Sequence, residues 1–280
     1  MAIVHVAIFE AVNAIAGNRV SYVGLARAAS DASLDAAVAQ AAHDTLIELF
    51  PSQAATFDTE LTRALVRVRD RRARLLGVRV GSDAARTILA RRDADGSDHD
   101  EPRMGVDYVP GFAPGEWRQD PISLVPIALE AHWGDVEPFV ISSAADFRIP
   151  PPPALESEAY AAAFAEVQSL GGDGVTTPTM RTPDQTEIGI YWAYDGTPSL
   201  CAPPRLYNQI TLQIARQRRT NAVELARLLA LVNVAMADAG LASWESKYFY
   251  RTWRPVAGIR EADAGSRPSG LGDGNPATRG

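Results

Sequence analysis

The only lysine in the chain precedes an arginine-proline pair at a spacing that suits an oxyanion site. Of the 27 lysines and arginines, Lys247 is the single lysine, and it lies seven residues before Arg254-Pro255. The chain has two Arg-Pro pairs. A lysine placed at random would lie seven residues before one of them with a probability of about two in 280. A lysine ammonium binds one oxygen as a point charge, whereas a guanidinium offers a planar fork of donors. Together the two groups suit a tetrahedral oxyanion.

One long helix is predicted to carry both cations. Apolar residues at helical spacing predict it over about 221–253, within a segment 221–255 that contains the pair. At 100° per residue, Lys247 and Arg254 would point almost the same way, two turns apart. Pro255 disfavours further helix, so Arg254 is expected at the helix end.

The same cations could instead be the solvated face of an amphipathic helix, paired for instance with Glu245. The helix dipole favours this alternative, because a helix C-terminus disfavours anions. An oxyanion site at Lys247 and Arg254 would therefore need further donors, either backbone N–H groups or more arginines, from elsewhere in the protein.

The rest of the chain predicts an all-α fold. Helical periodicity, N-cap residues and helix-ending prolines and glycines indicate seven further helices, over about 2–16, 36–50, 52–74, 81–92, 157–170, 182–192 and 204–217. No alternation lasts long enough to build a sheet, and no internal repeat is present. We therefore predict a helical bundle, with 1–280 as one incomplete domain.

Residues 93–155 interrupt the helical pattern. Turn-forming pairs such as Asp95-Gly96 and Pro110-Gly111 predict a long irregular segment. Its large aromatic residues are unlike those of a free linker, so we expect the segment to wrap the helical body and pack its rings against it. These residues are Tyr108, Phe112, Trp117, Trp133, Phe139 and Phe147.

Composition excludes several classes of protein. The formal net charge of −7 argues against nucleic-acid binding. The chain contains no run of 18 apolar residues, so no transmembrane segment is predicted. Its apolar start lacks the basic residues that precede the apolar stretch of a signal peptide. The single cysteine, Cys201, cannot form a disulfide or a cysteine-based zinc site within one chain. No metal site is predicted within the chain. Whether it is cytoplasmic or exported, and whether it forms a homo-oligomer, stay open.

Lys247-x6-Arg254-Pro255 resembles the first signature of the superfamily that unites type 2 phosphatidic acid phosphatases (PAP2) with vanadium-dependent haloperoxidases. Further motifs extend the resemblance to bacterial haloperoxidases over nearly the whole chain. They are Phe9-Glu-Ala-Val-Asn13, His132-Trp-Gly134, Arg181–Glu187, Ala235-Met-Ala-Asp-Ala239, Trp244–Tyr248, Trp253-Arg-Pro-Val256 and Asp273–Thr278.

The resemblance implies an all-α helical bundle with vanadate as cofactor, or phosphate in the phosphatases. Lys247 and Arg254 would then be the catalytic and cofactor-binding residues that hold the oxyanion's oxygens. The implied activity is that of a peroxidase, an oxidoreductase that uses hydrogen peroxide to oxidise halide. The alternative is a phosphatase that hydrolyses phosphomonoesters through a phospho-histidine. The aromatic segment 93–155 and the lack of a predicted transmembrane segment favour the haloperoxidase branch.

The resemblance stops short of the second and third signatures of the superfamily. Pro268-Ser-Gly270 is followed by Leu271 where the second signature has histidine, and no histidine follows His132. The resemblance therefore implies that the vanadium-ligating histidine lies beyond Gly280. We expect the chain to be a truncated, N-terminal portion of such an enzyme, without turnover when alone. A non-catalytic helical fragment is the further alternative.

Overall fold

A computed structural model describes residues 1–193, 203–267 and 269–278. Within these ranges the fold has nine α-helices and no strand, which confirms the all-α prediction. The helices are α1 (Ala2–Ala16), α2 (Leu34–Leu49), α3 (Ala54–Arg67), α4 (Arg71–Arg92), α5 (Glu158–Gly171), α6 (Pro183–Trp192), α7 (Pro203–Arg218), α8 (Ala222–Tyr250) and α9 (Pro255–Glu261).

The chain divides into two compact units. The first comprises Met1–Asp95 with Ala202–Asp238, and the second comprises Gly96–Cys201 with Ala239–Gly280. The long helix α8 contributes its first part to one unit and its last part to the other. A single domain over 1–280 stays a prediction.

Helices α1, α2 and α4 form the core of the first unit, and small residues dominate their contacts. The buried residues include Val6, Ala7, Ala11, Ile15, Ala37, Ala41, Ala84 and Ile88. The backbones of α2 and α4 approach so closely that a Cβ added to Gly81 would lie 2.5 Å from the carbonyl oxygen of Ala37. A Cβ on Gly77 would lie 2.4 Å from the carbonyl oxygen of Ser33. Alanine and glycine thus let the helices pack at interior density.

The boundary between α3 and α4 differs from the prediction. α3 ends at Arg67 and α4 begins at Arg71, because the Asp70 carboxylate accepts hydrogen bonds from two backbone N–H groups in the first turn of α4. Gly81, predicted to start a helix, lies inside α4, where its missing side chain makes room for α2. A glycine that starts a helix and one that permits close helix packing look alike in a sequence.

The irregular segment 93–155, every residue of which is described, contains no α-helix, as predicted. Two of its rings pack on Tyr248 of α8: the centroid of Tyr108 lies 5.6 Å away and that of Trp117 lies 5.7 Å away. Phe112 and Phe147 are each 59% exposed. The prediction that the segment packs its rings against helices is therefore wrong for these two phenylalanines.

α8 is the longest of the described helices, with 29 residues. Among them it alone is long and apolar enough to cross a membrane by those two criteria, which the core helix of a soluble protein also meets. In the first unit, α8 is joined to α7 by a buried amide pair. The Asn233 Nδ2 group donates to Asn208 Oδ1 at 2.8 Å, and Asn208 Nδ2 donates to Asn233 Oδ1 at 3.0 Å. Such paired amides are typical of helix packing inside a protein.

Candidate oxyanion site

Lys247 lies in the last turn of α8, which ends at Tyr250. The residue is exposed, and its Nζ lies 3.7 Å from the centroid of the Trp244 ring, three residues earlier. Residues three apart are neighbours on a helix surface, and an indole face attracts an ammonium. The tryptophan therefore favours one position for the charge of Lys247.

Arg254 does not lie on α8, so the predicted helical stripe shared with Lys247 is wrong. Arg251 has a φ of 48°, in the left-handed region, immediately after the last residue of α8. Arg254 has extended backbone, with φ −74° and ψ 153°, and is the N-cap of α9. Pro255 is the first residue of that helix, a position that proline favours. The spacing of seven residues thus crosses a helix break, and helical geometry does not relate the two cations.

The break between α8 and α9 is bound to the irregular segment by backbone hydrogen bonds. The N–H of Trp117 donates to the carbonyl oxygen of Arg251 at 2.5 Å, and the N–H of Trp253 donates to that of Gly115 at 2.9 Å. These bonds flank an antiparallel bridge between Glu116 and Thr252. Residues 251–253 are therefore fixed by a short piece of antiparallel pairing.

A buried ion pair connects the irregular segment to the end of α9. The Arg118 Nε donates to Glu261 Oε1 at 3.1 Å, and its Nη2 donates to Oε2 at 2.5 Å. The guanidinium also lies 5.4 Å from the ring of Trp253. The two side chains are only 7% and 5% exposed. Nothing in the sequence predicts this pair, because its members are 143 positions apart and belong to no shared motif.

The Arg254 side chain is exposed, and within the described part of the chain its guanidinium makes no hydrogen bond or ion pair. Its charge acts on Asp120. Backbone N–H bonds from Ser123 and Ile122 lower the pKa of Asp120, and the positive charge of Arg254 lowers it further. The guanidinium therefore keeps its donors available to a ligand while lying within electrostatic range of a carboxylate.

Lys247 acts on a half-buried acid, Glu130. Burial raises the pKa of Glu130 and nearby Glu101 raises it further, whereas the charge of Lys247 lowers it. Tyr248, the next residue along α8, donates its hydroxyl to the carbonyl oxygen of Leu129 at 2.8 Å. Burial is the main cause that raises the pKa of Tyr248 to about 12, so this phenol is neutral near pH 7.

The motif Asp273–Thr278 forms a polar loop. The hydroxyl of Thr278 donates to Asp273 Oδ2 at 2.7 Å, and the backbone N–H of Asn275 donates to Asp273 Oδ1 at 2.9 Å. Asn275 Nδ2 also donates to the carbonyl oxygen of Leu155 at 2.8 Å. These three polar residues are buried, so the motif orders the backbone rather than presenting donors. Pro268, in the motif that partly matches the second signature, lies outside the described residues.

The donor set suits the oxygens of a tetrahedral oxyanion such as vanadate or phosphate. Lys247 and Arg254 are both exposed, and an ammonium with a guanidinium supplies charge-assisted hydrogen bonds to several oxygens. The chain's four histidines all lie at or before His132, and no residue after it supplies an imidazole. Lys247 and Arg254 could thus hold the oxygens of the oxyanion. None of the four histidines is assigned as a vanadium ligand.

Comparison with known proteins indicates the same family as the sequence motifs do. A family model described as the second helical-bundle domain of vanadium chloroperoxidase (VCPO) matches residues 227–278, which include both cations and the Asp273–Thr278 loop. The vanadium chloroperoxidase of Curvularia inaequalis is 40% identical over 124 residues, which are 39% of this chain and 20% of that protein.

Two solved structures share the fold. A structure described as the first bacterial vanadium-dependent iodoperoxidase matches with a TM-score of 0.74 and 22% identity, over 92% of this chain and 65% of that one. A holo-type bacterial vanadium-dependent chloroperoxidase matches with a TM-score of 0.60 and 16% identity, over 92% of this chain and 62% of that one. These matches show that the helical fold is that of vanadium haloperoxidases.

These matches support the resemblance to the vanadium haloperoxidase superfamily that the sequence motifs indicate. The chain spans less than two thirds of the length of each of these three proteins.

Proposed function

We propose that this chain supplies Lys247 and Arg254 to the oxyanion site of a vanadium-dependent haloperoxidase. The observation that carries this is the position of both exposed cations inside residues 227–278, the range matched by the chloroperoxidase domain. Vanadate, when bound, would supply the activation of hydrogen peroxide for the oxidation of halide. The substrates of the whole enzyme would be these two small molecules.

In this proposal the two cations have different tasks. The ammonium of Lys247, which lies over the Trp244 ring, would bind one oxygen of the oxyanion as a point charge. The guanidinium of Arg254, which makes no hydrogen bond or ion pair within the described part of the chain, would donate two parallel hydrogen bonds. Cations fixed before the ligand arrives stabilise negative charge without reorganising at the moment of reaction.

The remaining contacts would come from outside this sequence. The resemblance assigns the acid-base histidine and the vanadium-ligating histidine to the second and third signatures, which these 280 residues do not contain. We therefore expect the 280-residue chain to bind an oxyanion weakly and to show no turnover alone. A chain extended through both signatures would be the active form.

Replacement of Lys247 tests the site directly. Lys247→Ala should weaken the binding of orthovanadate at least tenfold, because a hydrogen bond to a charged group contributes about 1.5–3 kcal/mol. The measurement is a titration of orthovanadate into the 280-residue chain, followed by vanadium-51 NMR. Arg260→Ala is the matched control, since it removes an exposed cation from the last turn of α9. Equal affinity in Lys247→Ala and the parent would remove Lys247 from the site.

The phosphatase alternative uses the same cations and is separated by the reaction. The extended chain would be assayed for iodide oxidation by peroxide, with and without vanadate, and for phosphomonoester hydrolysis. We expect vanadate-dependent oxidation. Hydrolysis without such oxidation would show a phosphatase, and the absence of both would favour the non-catalytic alternative.

A further inference from the structure

The loop Gly111–Arg118 has a closed shape of its own. The backbone N–H of Gly111 donates to the carbonyl oxygen of Trp117 at 3.1 Å. The Glu116 carboxylate accepts from the N–H of Ala113 at 2.9 Å. A Cβ on Gly111 would lie 2.4 Å from the Cβ of Glu116, so the turn requires glycine there. A loop closed by its own hydrogen bonds can act as a rigid support for residues that it contacts.

The break after α8 needs such support. Arg251 adopts a left-handed backbone that is unfavourable for residues with a side chain, and it persists only where neighbours hold it. The carbonyl oxygen of Arg251 accepts a hydrogen bond from the N–H of Trp117, and Arg251 Nη2 donates to the carbonyl oxygen of Val109 at 2.8 Å. The guanidinium of Arg251 also lies 5.2 Å from the centroid of the Tyr108 ring. The irregular segment therefore holds the break in place.

The same loop holds α9 at both ends. At the start, the N–H of Trp253, one residue before the N-cap Arg254, donates to Gly115. At the end, Glu261 is bound by both arms of the Arg118 guanidinium. A seven-residue helix held at both ends has little freedom to shift or rotate.

We propose that the loop Gly111–Arg118 sets the position of Arg254 relative to Lys247, with Arg118 as a positioning residue that acts through Glu261 and Trp253. The inference rests on the proposed function, because it assigns a use to the relative placement of the two cations. It adds a residue outside the first signature to those on which oxyanion binding depends.

The test removes the ion pair without leaving one buried charge alone. The double variant Arg118→Gln/Glu261→Gln keeps an uncharged hydrogen-bonding side chain at both positions. The matched control is Arg92→Gln/Asp95→Asn in the first unit, where Arg92 Nε donates to Asp95 Oδ2 at 2.6 Å and both side chains are 4% exposed. Circular dichroism would show that both variants keep the helical content of the parent.

The first measurement is hydrogen exchange, which needs no ligand. Amides of residues 251–261 should exchange about tenfold faster in Arg118→Gln/Glu261→Gln than in the parent or the control, because the local opening free energy falls. Amides in the middle of α8 should be unchanged. Equal exchange in residues 251–261 of all three proteins would overturn the proposal.

The second measurement is orthovanadate affinity, with and without Arg254. The Arg118/Glu261 variant should bind about tenfold more weakly, at the lower end of what outer-shell partners of bound ions contribute. In an Arg254→Ala background, the same change should alter affinity less than about twofold, because the positioned group is gone. A tenfold loss in both backgrounds would show a general structural role and overturn the positioning role.

The outcomes separate this proposal from the proposed function. If the parent chain binds no orthovanadate, or if Lys247→Ala and Arg254→Ala bind as the parent does, the proposed function of these cations fails. The support that the loop gives to α9 is then decided by the exchange result alone.

Discussion

Two regions of this molecule are held in place by different interactions. α2 and α4 contact each other through glycine and alanine, with backbone atoms close enough to exclude a Cβ at Gly81. The loop Gly111–Arg118 is held instead by backbone N–H to carbonyl hydrogen bonds and by the buried Arg118–Glu261 ion pair. The first region depends on shape, so it should respond to added volume. The second depends on matched polar partners, so it should respond to the loss of one partner.

The largest expected effect comes from removing half of the buried ion pair. Arg118→Met should lower the free energy of unfolding by about 3–5 kcal/mol, because Glu261 is left buried and unpaired. Arg103→Ala removes one member of an exposed pair with Asp107 in the same segment and should lower the free energy of unfolding far less, because solvent screens that pair. Urea unfolding of both variants gives the comparison. Similar losses in the two would show that burial does not determine the strength of these pairs.

A half-buried histidine, His5, is expected to make the first region sensitive to acid. Burial is the main cause that lowers the pKa of His5 to about 4, and the positive N-terminus adds to it. A folded-state pKa below the ordinary value of about 6.5 stabilises the fold above pH 6.5, and that stabilisation is lost as the pH falls towards 4. The loss attributable to His5 is at most about 3 kcal/mol by this linkage.

The variant His5→Gln isolates that contribution. Its free energy of unfolding should fall less than that of the parent between pH 7 and pH 4, as measured by urea unfolding at each pH. Other groups that titrate in this range affect both proteins equally. A parallel decline in the two proteins would contradict the assignment to His5.

Added volume between α2 and α4 should also destabilise the first region. Alanine in place of glycine ordinarily favours a helix by about 1 kcal/mol. At Gly81 the new Cβ would lie 2.9 Å from the backbone nitrogen of Ala41, so Gly81→Ala should cost about 1–3 kcal/mol instead. Gly240→Ala in α8 is the matched control, because nothing lies within 4 Å of its added Cβ and the ordinary gain should appear. A gain at both positions would show that α2 and α4 can separate without cost.

Helices that depend on local sequence patterns could be predicted, whereas features that depend on contacts with distant residues could not. Periodicity and caps predicted α1, α2, α5, α6 and α7, because local patterns set these helices. The Thr182 cap, for example, forms a capping box with Gln185, as residues three apart can. Gly81 was misplaced, because its role depends on the neighbouring helix rather than on its sequence neighbours.

The candidate site shows the same division. Lys247 and Arg254 could be proposed as site residues from residue type and spacing, since the chain has one lysine and it lies in a motif that resembles a known signature. Their relation in space could not be predicted, because it depends on the left-handed Arg251 and on the pairing of Trp117 and Gly115 with the break. Hydrogen bonds between segments more than 100 residues apart leave no periodic pattern in a sequence.

The smallest expected effect concerns a second histidine of the first region. Burial alone would lower the pKa of His43, but hydrogen bonds to the carboxylates of Asp58 and Asp44 more than offset this, and the pKa is raised. The ring nitrogens lie 2.9 Å from Asp58 Oδ1 and 2.8 Å from Asp44 Oδ1. A raised folded-state pKa stabilises the fold below about pH 6.5, and this is lost as the pH rises through the folded pKa.

His43 and His5 should therefore respond to pH in opposite directions within one unit. His43→Gln should remove a decline in stability above pH 6.5 that amounts to no more than about 1 kcal/mol, as for other ion pairs near a surface. Thermal unfolding at pH 6 and pH 8 provides the measurement, with His5→Gln as the matched control that keeps the decline. If His43→Gln declines as much as the parent over this range, the two carboxylates do not bind a protonated imidazole. The loss of stability that His5 causes at low pH would then not be offset by a protonated His43.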